Sequence, residues 1–148
     1  MSTSASMKIK FNKSRSYSLS NIVETFLEAG WKLKDKYGNV SYLPLGDDDD
    51  FDWQSQMISE TEVIKIIEKK EEANEWVGLI IYWEKTNIGI TLLATSADNV
   101  ILSFEVNRRR VNEEDSTSLT DVNWYMDKII VKLRNKQYQI ESFIFEEY

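Results

Sequence analysis

The chain contains neither cysteine nor histidine among its 148 residues. Without cysteine it can form no disulfide framework and no thiolate metal site. Without histidine it lacks Ser-His-Asp catalysis, histidine general bases and every histidine-containing zinc site. Any catalysis would have to use carboxylates, Lys, Tyr or Ser alone. We therefore expect a protein that is not an enzyme and that needs no cofactor and no metal.

Long apolar runs are also missing. No stretch approaches the ~18 apolar residues that span a bilayer, and the N-terminal residues lack the charged-then-apolar build of a signal peptide. With one proline, five glycines, 42% apolar and 29% charged residues, the composition is typical of a globular protein. The length fits one domain. We expect a cytoplasmic protein that does not associate with membranes, and the sequence leaves its oligomeric state open.

The chain has fewer basic than acidic residues, which gives it a net charge of −7. This balance opposes nucleic-acid binding, because phosphate contacts need clustered Lys and Arg. The acidity is local, since residues 46–62 carry seven acids and no base, whereas residues 1–15 carry four bases and no acid. The excess negative charge is therefore concentrated in one part of the chain.

Apolar periodicity predicts an α+β domain over residues 7–148, preceded by a disordered N-terminal tail over residues 1–6. The expected order is β-α-β-β-α-β-β-β-α-β, a mostly antiparallel sheet with helices packed on it. The strands are predicted at 7–11, 31–34, 40–43, 76–83, 88–95, 100–107 and 138–145. The helices are predicted at 20–29, at 59–74 and from about residue 120. The strand at 76–83 is apolar on both faces and should lie at the sheet centre, with Leu79 and Ile81 inaccessible to solvent.

Predicted caps and turns set the boundaries. Asn21 with Glu24, and Ser59 with Glu62, have the spacing of capping boxes at the starts of two helices. Residues 37–39 are expected to form the turn of a hairpin between the strands at 31–34 and 40–43.

The stretch from Leu43 to Trp53 is the least explained by folding. It holds the only proline and five aspartates within six residues. Consecutive aspartates repel one another and favour neither helix nor strand. Two aromatic residues stand among them. The residues we select as a candidate partner-binding surface are Asp47, Asp48, Asp49, Asp50, Phe51, Asp52 and Trp53.

Three interpretations of these aspartates remain. A calcium loop would place Asp48, Asp50 and Asp52 at ligand positions, but Trp53 and Ser59 then stand where glycine and a bidentate glutamate belong. A solvated loop would only aid solubility. A surface for a basic protein partner explains the aromatics as well, because interfaces favour aromatic anchors among charges. Trp53 could instead fold back onto the core.

Arg108, Arg109 and Arg110 form the one dense basic run. They could contact a partner, but acids follow closely at residues 113–115, so we expect them to pair within the protein.

The chain resembles bacterial immunity proteins, the small cytoplasmic partners of polymorphic toxins of the contact-dependent-inhibition or LXG type. The resemblance covers the general build of the chain and is most suggestive at residues 30–31 and 42–53. These families share no common signature, so no residue role is carried over. The resemblance implies tight binding to a toxin domain, often a basic nuclease, so that its active site is blocked.

Our expectation is therefore an immunity protein that neutralises a basic toxin through the acidic stretch. The alternatives are an acidic adaptor or regulatory domain that binds another basic protein, and a carboxylate-based hydrolase.

Overall fold

The computed structural model describes residues 4–115 and 118–148, which form eight strands and three helices. The strands are β1 Ala5–Phe11, β2 Trp31–Lys32, β3 Val40–Tyr42, β4 Gln54–Gln56, β5 Val77–Trp83, β6 Gly89–Ala94, β7 Val100–Val106 and β8 Ile140–Glu147. The first two helices are α1 Leu19–Ala29 and α2 Glu60–Glu72. The third is continuous and consists of α3 Val122–Met126, a π-helical segment Asp127–Val131 and α4 Lys132–Asn135.

All strands belong to one sheet in the order β4-β3-β5-β6-β7-β1-β8, with β2 also pairing with β5. Every pairing between named strands is antiparallel. The α+β class predicted from the sequence is thus confirmed, and the sheet is antiparallel throughout its named strands. None of the helices in the described residues is long and apolar enough to cross a membrane.

Strand β5 lies at the centre of the sheet, because it pairs with β6 along one edge and with β2 and β3 along the other. Its alternate residues Val77, Leu79, Ile81 and Trp83 enter the core cluster to which the helices also contribute. Leu79 and Ile81 are both 0% exposed, as predicted. The intervening residues of β5 point to the opposite face of the sheet.

The helix boundaries follow from caps. Ser59 caps α2 as predicted, and its hydroxyl accepts a hydrogen bond from the Glu62 amide at 3.2 Å. The predicted cap of α1 is wrong, because Ser18 rather than Asn21 occupies that position and accepts from the Asn21 amide. A serine three residues earlier offers a hydroxyl oxygen in an extended backbone conformation, which is what a cap requires.

Three other predictions need correction. Ala5 and Ser6, expected in a disordered tail, are the first residues of β1, and residues 1–3 lie outside the described part of the chain. The predicted hairpin between residues 31–34 and 40–43 is reduced to one bridge, Lys34 to Val40, because both strands pair mainly with other strands. Strand β4 is not predicted by the sequence, since Gln-Ser-Gln has no apolar alternation.

Candidate functional site

The acidic loop, defined here as residues 47–52, lies between β3 and β4 and leads into the edge strand of the sheet. A backbone hydrogen bond and a glycine turn fix the segment that leads into the loop. The Leu43 amide donates to the Gly78 carbonyl at 3.0 Å, which ties the chain to the central strand β5. Gly46 then adopts φ +94°, a left-handed conformation that glycine reaches without strain. The entry to the loop is therefore attached to β5.

Asp47 organises the loop from within. Its carboxylate accepts hydrogen bonds from the amides of Asp50 at 3.1 Å, Phe51 at 3.0 Å and Asp52 at 2.7 Å. Its exposure is only 8%. The sequence predicts Asp47 as part of a partner-facing surface, but a buried carboxylate bound to three amides instead shapes the loop that carries the other aspartates.

The side chain of Lys70 in α2 anchors the loop through hydrogen bonds. The Lys70 side chain is 1% exposed. Its ammonium donates to the carbonyl oxygens of Pro44 and Asp47, both at 2.7 Å, and to Glu75 Oε1 at 3.0 Å. A buried ammonium is tolerated only when its donors are satisfied, and here three acceptors meet its three protons. The two carbonyls belong to the loop and its entry, so this side chain fixes the loop on the helix.

Glu75 completes the anchor. Its Oε1 also accepts from the Gly46 amide at 2.8 Å. Hydrogen bonding from the Gly46 amide, and then from Lys70, lowers the pKa of the Glu75 carboxyl from its ordinary value of 4.5. The ionised form is therefore the one that the fold stabilises.

The sequence does not predict Lys70 or Glu75 as an anchor of the loop. The available signal is spacing, since Lys70 follows the buried Val63 and Ile67 at seven and three positions and so shares their helix face. The surrounding segment is dense with Glu and Lys, a pattern that indicates a solvated surface. What distinguishes Lys70 from the other lysines of this segment is its register with the apolar stripe.

The remaining aspartates face solvent. Asp48, Asp49, Asp50 and Asp52 are exposed, and none forms a salt bridge within the described residues. Four negative charges are thus displayed on a loop whose backbone is held by Asp47 and Lys70. Such a group of charges attracts cationic groups and repels anions.

The two aromatic residues of the stretch differ. Phe51 is 41% exposed, has φ +51° and lies with its ring centroid 6.1 Å from that of Trp76. Trp53 is only half-buried and packs back over Gly78, where an added Cβ would lie 2.9 Å from Trp53 Cη2. Trp53 therefore folds back onto the sheet in part, as one of the alternatives proposed. Phe51 is the aromatic residue presented to solvent.

The arginine run pairs within the protein, as expected. Salt bridges join Arg108 to Glu147 at 3.5 Å, Arg109 to Asp121 at 3.2 Å and Arg110 to Glu113 at 3.7 Å. Of these three acids, only Glu113 lies in residues 113–115, the acidic segment from which we predicted the pairing. None of the three salt bridges in the described residues involves the acidic loop.

A calcium site at the loop receives no support from the geometry. Across residues 4–115 and 118–148, no group of three or more acidic side chains is arranged to hold a metal ion.

Comparison of the chain with protein-family models, curated proteins and solved structures found no match.

Replacing Lys70 by Met should destabilise the fold by about 2–4 kcal/mol, because two carbonyls and the Glu75 carboxylate lose a buried partner while the volume is kept. Urea unfolding at pH 7 measures the loss. Lys69→Met is the matched control, because Lys69 is exposed on the same helix, and it should change stability by less than about 0.5 kcal/mol. Equal effects of the two changes would contradict the anchoring role.

The anchor also predicts a pH dependence. Because the folded pKa of Glu75 is lowered, its contribution is fully present above the unfolded value near 4.5 and is lost as pH falls through the folded pKa. The stability difference between the wild type and Glu75→Gln should thus be constant from pH 7 to about 5 and shrink below that. Urea unfolding of both proteins across this range tests it, and a difference independent of pH would contradict the assignment.

Proposed function

We propose that this protein is an immunity protein that binds and neutralises a basic bacterial toxin domain through the acidic loop. The observation that carries the proposal is the display of four exposed carboxylates without salt bridges in the described residues, beside an exposed Phe51, on a loop anchored from beneath. A toxin that acts on nucleic acid has a basic surface because it binds phosphates, and the loop offers a similar density of negative charge.

Anchoring supports binding over solubility alone. A loop that served only as a solvated surface would need neither a buried ammonium nor a carboxylate bound to three amides. Holding the carboxylates in place before contact lowers the entropy that association must otherwise remove. Electrostatic steering of this kind raises association rates by about 10–1000-fold at low salt.

The geometry suggests different roles within the predicted surface. Asp48, Asp49, Asp50 and Asp52 are the proposed steering charges, and Phe51, backed by Trp76, is the proposed apolar anchor. Asp47 and Trp53 support the loop and are not proposed to contact the partner directly. The proposed partner-binding surface is therefore smaller than the set of seven residues predicted from the sequence.

Replacing the four exposed aspartates together by Asn should leave the fold intact and remove protection. The probe is a nuclease-like toxin domain taken from a gene adjacent to the one that encodes this chain, expressed with either the wild type or the variant. Wild type should restore growth, and the variant should not, because association with the toxin becomes slow. A matched control removes four exposed acids elsewhere by Asp98→Asn, Glu105→Gln, Glu114→Gln and Glu141→Gln, and should protect fully.

Stopped-flow association at two ionic strengths separates the roles. The four-Asn variant should associate more slowly and with a weaker salt dependence, whereas Phe51→Ala should mainly speed dissociation. Unchanged rates and salt dependence in the four-Asn variant would contradict a role for the loop in binding. Loop-dependent binding of a basic protein with no growth protection would instead favour an adaptor.

A further inference from the structure

A second charged site of opposite sign lies at the other end of β5. A surface pocket of about 640 Å³ is bordered by Lys32, Lys34 and Lys36 on one side and by Lys85 on the other. The first three follow from β2 into the turn before β3, and Lys85 lies in the turn between β5 and β6. The pocket falls within the size range of small-molecule sites.

The floor of the pocket is apolar and closely packed. Gly89 of β6 pairs with Tyr82 and Val106 on the two neighbouring strands. A Cβ at Gly89 would lie 3.0 Å from Val106 Cγ1 and 3.1 Å from Tyr82 Cδ1, so these side chains close over the glycine. The turn that carries Lys85 is joined to the end of β7, because the Asn107 side-chain amide donates to the Asn87 carbonyl at 2.9 Å.

The lining carries a net charge of +3, from four lysines and the single acid Asp35, in a chain whose net charge is −7. All four lysines are exposed, and none forms a salt bridge within the described residues. Asp35 is engaged in its own turn, where Oδ1 accepts from the amides of Tyr37 at 2.8 Å and Asn39 at 3.0 Å. In the described part of the chain, these lysines therefore lack a bonded counter-charge.

The aspartates of the acidic loop do not supply a counter-charge to these lysines. The loop is attached to β5 at Gly78, whereas the pocket floor lies at Tyr82, four residues further along the strand. At about 3.3 Å per residue this separation is about 13 Å. Charges separated by more than about 8 Å in physiological salt are largely screened from each other. None of the aspartates of the acidic loop forms a salt bridge with these lysines in the described part of the chain.

An aromatic ring stands at the pocket rim. Tyr37 is 72% exposed, and the Lys36 ammonium lies 5.1 Å from its ring centroid. An exposed ring of this kind can stack against a flat heterocycle, and lysine ammonium groups bind phosphate as point charges. No arginine is among the described residues that border the pocket, so the planar, bidentate recognition that suits carboxylates is not offered by them.

We propose that this pocket binds a nucleotide, with its phosphates at Lys32, Lys34, Lys36 and Lys85 and its base against Tyr37. Nucleotide binding here is independent of partner binding by the acidic loop, because the two sites share no residue. The order of affinity expected from the charge is ATP above AMP, with adenosine weakest.

Isothermal titration of the full chain with ATP, AMP, adenosine and inorganic pyrophosphate tests the proposal. The double change Lys32→Gln with Lys85→Gln should weaken ATP binding by about tenfold or more, because charge-assisted contacts are lost. The matched control, Lys65→Gln with Lys69→Gln, removes two exposed lysines of α2 and should leave ATP affinity unchanged. Tyr37→Ala should weaken ATP while leaving pyrophosphate unchanged.

Three results would overturn the proposal. Absence of ATP binding by the wild type would do so directly. Equal weakening by the control pair would mean that ATP binds the exposed lysines without a site. Pyrophosphate binding as tight as that of ATP, together with no effect of Tyr37→Ala, would reduce the pocket to a simple anion site. Circular dichroism of each variant is the control that checks whether the fold is retained.

Discussion

The buried ammonium of Lys70 is the interaction on which the candidate site depends. It joins α2 and the nearby Glu75 to the acidic loop and its entry, which lie more than twenty residues away in sequence. Burying a lysine is costly unless its donors are paired, and this cost makes the arrangement specific. A loop of four exposed like charges would otherwise spread to reduce repulsion. The anchor keeps those charges in a defined place.

Much of the fold was predictable because its signals are local and periodic. The continuous apolar run of β5 and the serine cap of α2 each depend on a few neighbouring residues, and the predicted burial of Leu79 and Ile81 and the predicted Ser59 cap were both confirmed. Strand β4 escaped prediction because its three polar residues become a strand only through pairing with β3. The α1 cap was misplaced because two nearby polar residues offered similar side chains, and only backbone conformation distinguishes them.

The candidate site was predictable in composition but not in roles. The sequence located the aspartates and their aromatic neighbours, yet it offered no distinction between Asp47 and its four companions. Burial of Asp47 follows from contacts with backbone amides of the same loop, which composition does not encode. Lys70 and Glu75 lie more than twenty residues from the loop entry that they hold, so only the tertiary structure reveals them. The result is a chain with separated acidic and basic surfaces at the two ends of one central strand.

The acidic loop displays its charges on a hydrogen-bonded backbone and is not a disordered run. Amide hydrogen exchange followed by nuclear magnetic resonance tests it most directly, because it reports opening of individual hydrogen bonds. The amides of Asp50, Phe51 and Asp52, which donate to Asp47, should exchange far more slowly than in an isolated peptide covering residues 43–53. Exchange of these three amides at the rate of the isolated peptide would contradict the account.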